Sequence, residues 1–257
     1  HFVSPKDEYI YGTGQFQDGY LNIRGLTRRL TQVNTQISIP FILSSKGYGL
    51  LWNNYGLTDF NPADQFVELT PANASGEAVT VNTTGTSGNV RETRQTYSFT
   101  ASVEVPRSGS YSLLLDVGQR MARKYYLVID GQKIMDVNNL WLPPTTSAIV
   151  ELTAGKHDIE VQGERNDKPV LYWRPVSEET VFRSPVAQML DYTVFAGNGD
   201  EVIASYRELT GPAPMMPLWS LGYIHCRERY NTQAELLENA REFRERKLPI
   251  DIIVQDW

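Results

Sequence analysis

From Phe2 to about Leu69 the apolar residues come in short alternating runs interrupted by Gly, Asn and Asp. Ile37, Ile39 and Phe41 repeat at every second residue, and Tyr48-Gly49-Leu50-Leu51-Trp52 follows the turn signal Ser44-Ser45-Lys46-Gly47. A period of two puts successive side chains on opposite faces of a strand, so this region predicts the antiparallel strands of a β-sandwich. Gly12-Thr13-Gly14 reads as a turn within it. Residues 73–89 are rich in Gly, Ser, Thr, Ala and Asn, which suits a long polar connection or weak edge strands and marks a boundary. Beyond it Tyr97, Phe99, Ala101, Val103 and Val105 alternate with polar residues, and the parity resumes at Tyr111, Leu113, Leu115 and Val117 after Pro106-Arg107-Ser108-Gly109. This predicts a strand, turn, strand unit with one buried face. Asp130-Gly131 between Leu127-Val128-Ile129 and Ile134-Met135 is a strong hairpin signal, and His157, Ile159 and Val161 alternate after Ala154-Gly155. Five or more closely spaced strands predict a second all-β sandwich or jelly roll.

Strand character returns at Asp191-Tyr192-Thr193-Val194-Phe195, and then the period changes. Thr232 followed by Glu235 is a capping box, and Leu236, Leu237, Ala240 and Phe243 fall at helical spacing before Pro249. A helix is expected from near Thr232 to near Lys247. It lies between the apolar segment 219–224 and Ile250-Asp251-Ile252-Ile253-Val254, which reads as a strand buried on both faces. Strand, helix, buried strand is the first unit of a parallel α/β layer. The expected class is therefore mainly β, a sandwich with an inserted β module followed by the opening β-α-β unit of a truncated (β/α)8 barrel. Its parts are 1–70 plus 182–214, then 71–181, then 215–257.

The composition narrows the functions this fold can serve. The 257 residues carry 24 Lys and Arg against 30 Asp and Glu, a formal charge of −6. Without basic runs, nucleic acid is not an expected partner. No stretch approaches 18 apolar residues, so no membrane span is expected. The single cysteine, Cys226, cannot close an internal disulfide. The chain opens on His1 without a signal-like apolar run, which fits processed or excised material, and the bare strand at its end fits a longer α/β domain.

In parallel α/β domains the loops at the carboxyl ends of the strands converge on ligands. Two segments qualify, His225-Cys226-Arg227-Glu228 and Gln255-Asp256-Trp257. Asp256, a carboxylate beside an aromatic at a strand mouth, is the sharper candidate for accepting sugar hydroxyls, with a helix N-cap as its alternative role. Asp251, near the start of the same strand, is expected to serve structure. Adjacent strand residues point to opposite faces, so His225 and Cys226 make neither a metal site nor a nucleophile–base pair. No metal and no cofactor is expected. Tyr125, Tyr126, Trp141 and Trp173 could stack on sugar rings, although core packing is the commoner fate of such residues.

Tyr9-Ile10-Tyr11-Gly12-Thr13-Gly14-Gln15, Asn22-Ile23-Arg24-Gly25 and the segment 39–52 resemble the amino-terminal sandwich of glycoside hydrolase family 31. The segment 206–219, ending Pro214-Met215-Met216-Pro217-Leu218-Trp219, resembles that family's lead-in to its barrel, and 248–256 its second barrel strand. The roughly 110 residues between look like an anthrax protective-antigen-type module. With this insert and Cys226-Arg227-Glu228-Arg229-Tyr230, the sequence most resembles bacterial α-xylosidases that trim xyloglucan oligosaccharides. The resemblance implies hydrolysis with retention by two carboxyl groups on later strands, so neither catalytic group is expected in this segment. It also implies an oligosaccharide substrate and a periplasmic, cell-surface or secreted setting. Asp256 matches the aspartate that binds hydroxyls of the sugar at the cleavage point, and Trp257 adjoins it. The family's Trp-Asn-x-Asp in the sandwich loop is replaced here by Gln32-Val33-Asn34-Thr35, which leaves Gln32 and Asn34 as candidates. Glu228 stands where members acting on glucose often carry an aromatic, which favours a different sugar. The alternatives are an α-glucosidase or α-transglycosylase of the same family and, from another class, a non-catalytic carbohydrate-binding protein.

Overall fold

The computed structural model describes residues 1–85, 88–118, 121–141 and 143–256. It is mainly β and resolves into two compact units, His1–Thr83 with Arg91–Leu209, and Thr84–Val90 with Thr210–Trp257.

Among the described residues the first unit holds two large hydrophobic cores and a small third cluster around Phe41, Phe195 and Val202. One belongs to the amino-terminal sandwich, where a sheet ordered Tyr192–Ala196, Tyr48–Trp52, Ile37–Ser44, Ile10–Gln15 accompanies another ordered Phe182–Arg183, Thr58–Phe60, Arg28–Leu30. Ile10, Leu26, Ile42, Leu50 and Phe60 are at most 1% exposed between them. Each such side chain removed from water contributes roughly 1.5–3 kcal/mol to stability. Gly12-Thr13-Gly14 is not a turn between elements. All three residues have positive φ inside the Ile10–Gln15 strand, where pairing with Ile37–Ser44 slips register between Gly12 and Gly14. A Cβ on Gly12 would lie 2.4 Å from the Phe41 carbonyl oxygen, so this bulge admits only glycine there. Ile37 and Ile39, at the start of their strand, are exposed, and burial begins at Phe41.

The second core lies in the inserted module, between a sheet ordered Thr145–Leu152, Gly109–Asp116, Val170–Pro175, Gln65–Glu68 and one ordered Gln132–Trp141, Met121–Ile129, Gly155–Gly163, Gly88–Val105, Thr70–Gly85. Phe99, Leu113, Leu115, Leu127, Val161 and Leu171 fill it. The module's sheets begin at Gln65, several residues before the compositional shift, because Gln65–Glu68 pairs with Val170–Pro175. Asp130 and Gly131, with φ of 49° and 80°, form the expected two-residue hairpin turn.

The Gly109–Asp116 strand departs from the single buried face its parity predicts, since Ser112 and Leu114 are buried along with Tyr111, Leu113 and Leu115. The second face is covered by the amino-terminal sandwich. Thr27 N–H donates to Ser112 Oγ at 2.7 Å, Ser147 Oγ donates to Thr27 O at 2.5 Å, and Ile149 N–H donates to the Tyr20 hydroxyl at 2.8 Å. Thr27 Oγ1 extends this seam to Asn61 O at 2.7 Å, and Asn61 Oδ1 accepts from Val181 N–H at 2.9 Å.

A helix at Gly199–Thr210 is additional to the expected elements. Asn198 Oδ1 accepts from Glu201 N–H at 3.1 Å while Glu201 Oε2 accepts from Asn198 N–H at 2.8 Å, a reciprocal cap. Val202 and Tyr206, four residues apart, pack on Phe41 and Phe195. In the second unit the expected helix spans Gln233–Glu245 between two strands, Ile224–Glu228 and Ile252–Asp256, that run parallel. Among the described residues these two strands bond only to each other, and no barrel is closed. The Ile252–Asp256 strand is half-buried to exposed rather than covered on both faces. Among the described residues no helix is long and apolar enough to cross a membrane.

Candidate functional site

The parallel strands are positioned by the helix that joins them. At its start, Thr232 accepts from Glu235 N–H at 3.1 Å and Glu235 Oε2 accepts from Asn231 N–H at 2.9 Å. At its end, Leu248 N–H reaches Phe243 O at 2.9 Å and Lys247 N–H reaches Arg244 O at 3.0 Å, with Lys247 at φ 57° in the place glycine usually takes. Arg244 Nη2 then donates to Ile250 O at 2.9 Å, tying the helix to the chain entering the second strand. Asp251 is structural: its carboxylate accepts from Tyr223 N–H at 3.2 Å and aligns the two strand starts.

Alternate residues of the strands then divide between two faces. His225 and Arg227 lie on the helix side. The His225 ring is 5.0 Å from that of Phe243, its Nδ1 meets the Tyr223 hydroxyl at 3.1 Å, and Arg227 Nη1 is 3.3 Å from Glu235 Oε1. His225 is thus a packing residue of an aromatic cluster. Buried Tyr230 joins it at 6.4 Å, with desolvation pushing its phenol pKa up. Cys226 is exposed on the other face. Among the described residues no three His, Cys, Asp or Glu side chains gather as metal ligands would.

Glu228 and Asp256 share that second face at the carboxyl ends of the strands, and they are register partners. Neighbouring strands lie about 4.8 Å apart, so the two carboxylates emerge side by side. Glu228 is mostly covered, with its Oε1 3.6 Å from Arg229 Nη2. Asp256 is exposed, and among the described residues nothing donates to its carboxylate. Its oxygens are open to a ligand. The pair presents several acceptors and one adjacent guanidinium at a strand mouth, which suits polyhydroxyl recognition. Trp257 lies outside the described residues.

Gln32 and Asn34 belong to the first unit. Val33 and Gln36 exchange two backbone hydrogen bonds of 3.1 Å around a tight turn, with Asn34 at its tip and both candidates exposed. Gln36, to which no sequence signal points, is the buried residue that anchors this loop, donating to Thr31 O at 2.8 Å. Of the aromatic candidates, Tyr125 is a core residue whose hydroxyl meets Thr146 Oγ1 at 2.5 Å, and burial pushes its pKa up to about 12. Tyr126 carries Lys133 Nζ 4.4 Å above its ring. Trp173 is half-buried, and the Trp141 side chain lies outside the described residues.

Residues 213–257 match the family model for the glycosyl hydrolases family 31 TIM-barrel domain. An "Alpha-xylosidase" of Saccharolobus solfataricus is 27% identical over the whole of this chain, which spans 21% of that protein. An "Alpha-glucosidase 2" of Bacillus thermoamyloliquefaciens is 43% identical over 68 residues, 26% of this chain and 9% of its own length. The crystal structure of a GH31 alpha-xylosidase from Xanthomonas citri superposes on 99% of this chain with a TM-score of 0.74 and 28% identity, and the chain covers 32% of it. The chain thus spans about a fifth to a third of the relatives that match along its length.

Proposed function

We propose that the chain, whose residues 213–257 match the glycosyl hydrolases family 31 barrel model, is the amino-terminal part of a retaining, exo-acting α-xylosidase of that family that releases xylose from xyloglucan oligosaccharides. The observation that carries this reading is the register pairing of Glu228 with Asp256 at the mouth of two parallel strands. Asp256 accepts hydrogen bonds from hydroxyls of the terminal sugar, and Trp257 lines the same subsite. Glu228, a carboxylate where glucose-specific members often carry an aromatic, favours a sugar other than glucose. Gln32 and Asn34 of the sandwich loop are further proposed substrate-binding residues. The inserted module, 71–181 with the strand at 65–68, helps to hold the longer glycan.

The reaction is a double displacement. One carboxylate attacks the anomeric carbon as a second carboxylic acid protonates the leaving oxygen, and that second group then activates water to release the sugar with its configuration retained. Both groups are assigned outside these 257 residues, so Asp256 binds and does not attack.

A second reading, an α-glucosidase, is favoured by the 43% identity to a relative of that name, although over 68 residues only. Initial rates of the full-length protein on aryl α-xyloside and aryl α-glucoside separate the two. The proposal requires the larger kcat/KM on the xyloside, with NMR showing the α anomer of the sugar released first, as retention demands. A larger value on the glucoside would install the second reading, and no hydrolysis of either would leave a carbohydrate-binding protein.

A further inference from the structure

The inserted module and the amino-terminal sandwich meet at a cleft of about 490 Å³, lined entirely by residues of the first unit. That volume falls within the roughly 300–1,000 Å³ of small-ligand sites. Its walls come from the ends of Gln65–Glu68 and Val170–Pro175, where Trp173 and Gln65 are register partners, and from residues 177–183. Buried Val181 and Phe182 are among its apolar lining. The Trp173 ring is held by Tyr111, 5.9 Å away and tilted by 54°, yet it remains only half-buried and lines the cleft.

Most of the polar groups here are planar. Arg183 Nη1 lies 2.5 Å from Asp64 Oδ1. Arg174 donates to Ser177 Oγ at 2.9 Å and to Pro62 O at 3.4 Å, but no carboxylate lies within ion-pair distance of it among the described residues. Burial holds its pKa below the usual guanidinium value, with the charges of Glu179 and Asp64 offsetting part of that effect. Arg174, Arg183 and His1, the last with Nδ1 3.5 Å from Glu179 Oε2, line the cleft together with Asp64 and Glu179, so charges of both signs face it and no single-sign field selects an ionic ligand. A half-open indole offers an apolar platform, and Arg, Asp and Gln around it offer donors and acceptors in fixed planes. A pyranose ring has the matching surface, an apolar C–H face rimmed by hydroxyls.

We propose that this cleft binds a neutral oligosaccharide, with one sugar ring on Trp173 and its hydroxyls on Gln65, Arg174 and the Arg183–Asp64 pair. The site holds a glucan backbone on the first unit, and it stands on that unit's geometry whether or not the full-length protein hydrolyses α-xylosides.

The test is titration calorimetry of the full-length protein with cellohexaose, which presents no α-linked terminal sugar, together with gel retardation by soluble xyloglucan. Wild type and Asp256→Asn should bind cellohexaose alike. Trp173→Ala should weaken binding at least tenfold, and the exposed-site changes Gln65→Ala and Asp64→Ala severalfold each. Melting temperatures control for folding. Because Trp173 also touches Tyr111, a lowered midpoint in Trp173→Ala makes the other two variants decisive. Absence of binding by wild type, binding unchanged in Gln65→Ala and Asp64→Ala, or binding lost in Asp256→Asn would each overturn the site. Cellohexaose binding without any α-glycoside hydrolysis would keep this site and end the enzyme reading.

Discussion

Replacing Ser112 with alanine removes the acceptor that Thr27 N–H has at the seam between the two cores. Ser112 is fully buried, so water cannot reach the freed donor without opening the interface. A buried donor left unpaired costs about 1–3 kcal/mol. At about 2–4 °C per kcal/mol for a unit of this size, the melting temperature should fall by about 2–12 °C. Ser147→Ala frees Thr27 O instead, and loss of that hydrogen bond should cost about 0.5–1.5 kcal/mol. Both contacts converge on Thr27, so the double variant should fall short of the sum. The control is Ser110→Ala on the same strand, whose hydroxyl bonds the Glu151 carboxylate at an exposed position and should change stability by at most about 0.5 kcal/mol. Differential scanning calorimetry of wild type and the four variants measures all of this. If Ser112→Ala melts with wild type, the interface is not sealed as described and the coupling of module to sandwich through Thr27 is refuted.

His157 is buried with Nδ1 2.5 Å from Asp130 Oδ2 and Nε2 2.8 Å from Thr153 O, and these bonds, the Thr153 carbonyl foremost, raise its pKa above 6.5. A raised folded pKa stabilises fully below the unfolded value, so the module should lose stability as pH climbs from about 6.5 through the folded pKa of His157, and urea midpoints of His157→Gln should lack that decline. The partner acts at the other end: Asp130 is held below 3.8 chiefly by His157, so its contribution is present above 3.8 and lost as pH falls through its depressed value, and Asp130→Asn should flatten the acid limb. Thr232→Ala removes the cap on Glu235 N–H and should destabilise the second unit by about 1 kcal/mol in thermal melts, whereas Thr232→Asp should hold near wild type.

The elements most legible in the sequence are those whose signal is local. Asp130-Gly131 and the Thr232–Glu235 box depend on a few adjacent residues, and both occur as expected. The pairing of Glu228 with Asp256 needs only the inference that two parallel strands flank one helix. What escapes the sequence depends on contacts far apart along the chain. Ser112 and Leu114 read as the solvent side of a strand because the sandwich that covers them lies some 85 residues earlier at Thr27. The bulge at Gly12-Thr13-Gly14 looks like a turn until its partner strand is known. The Gly199–Thr210 helix does carry a local signal in Asn198 and Glu201, masked by the strand just before it and by only a short apolar stripe, Val202 and Tyr206.

Asp256→Asn in the full-length protein tests the assignment of the strand mouth to sugar binding. The substitution keeps the shape, removes the charge and exchanges one acceptor for a donor. A hydrogen bond to a charged group is worth about 1.5–3 kcal/mol, and tenfold in rate corresponds to about 1.4 kcal/mol. The value of kcat/KM on an aryl α-xyloside should therefore fall at least about tenfold. The melting temperature should barely move, because the exposed carboxylate has no protein donor among the described residues. Asparagine caps a helix about as well as aspartate. A kcat/KM near wild type for Asp256→Asn would thus contradict the sugar-binding role and leave Asp256 as a helix cap.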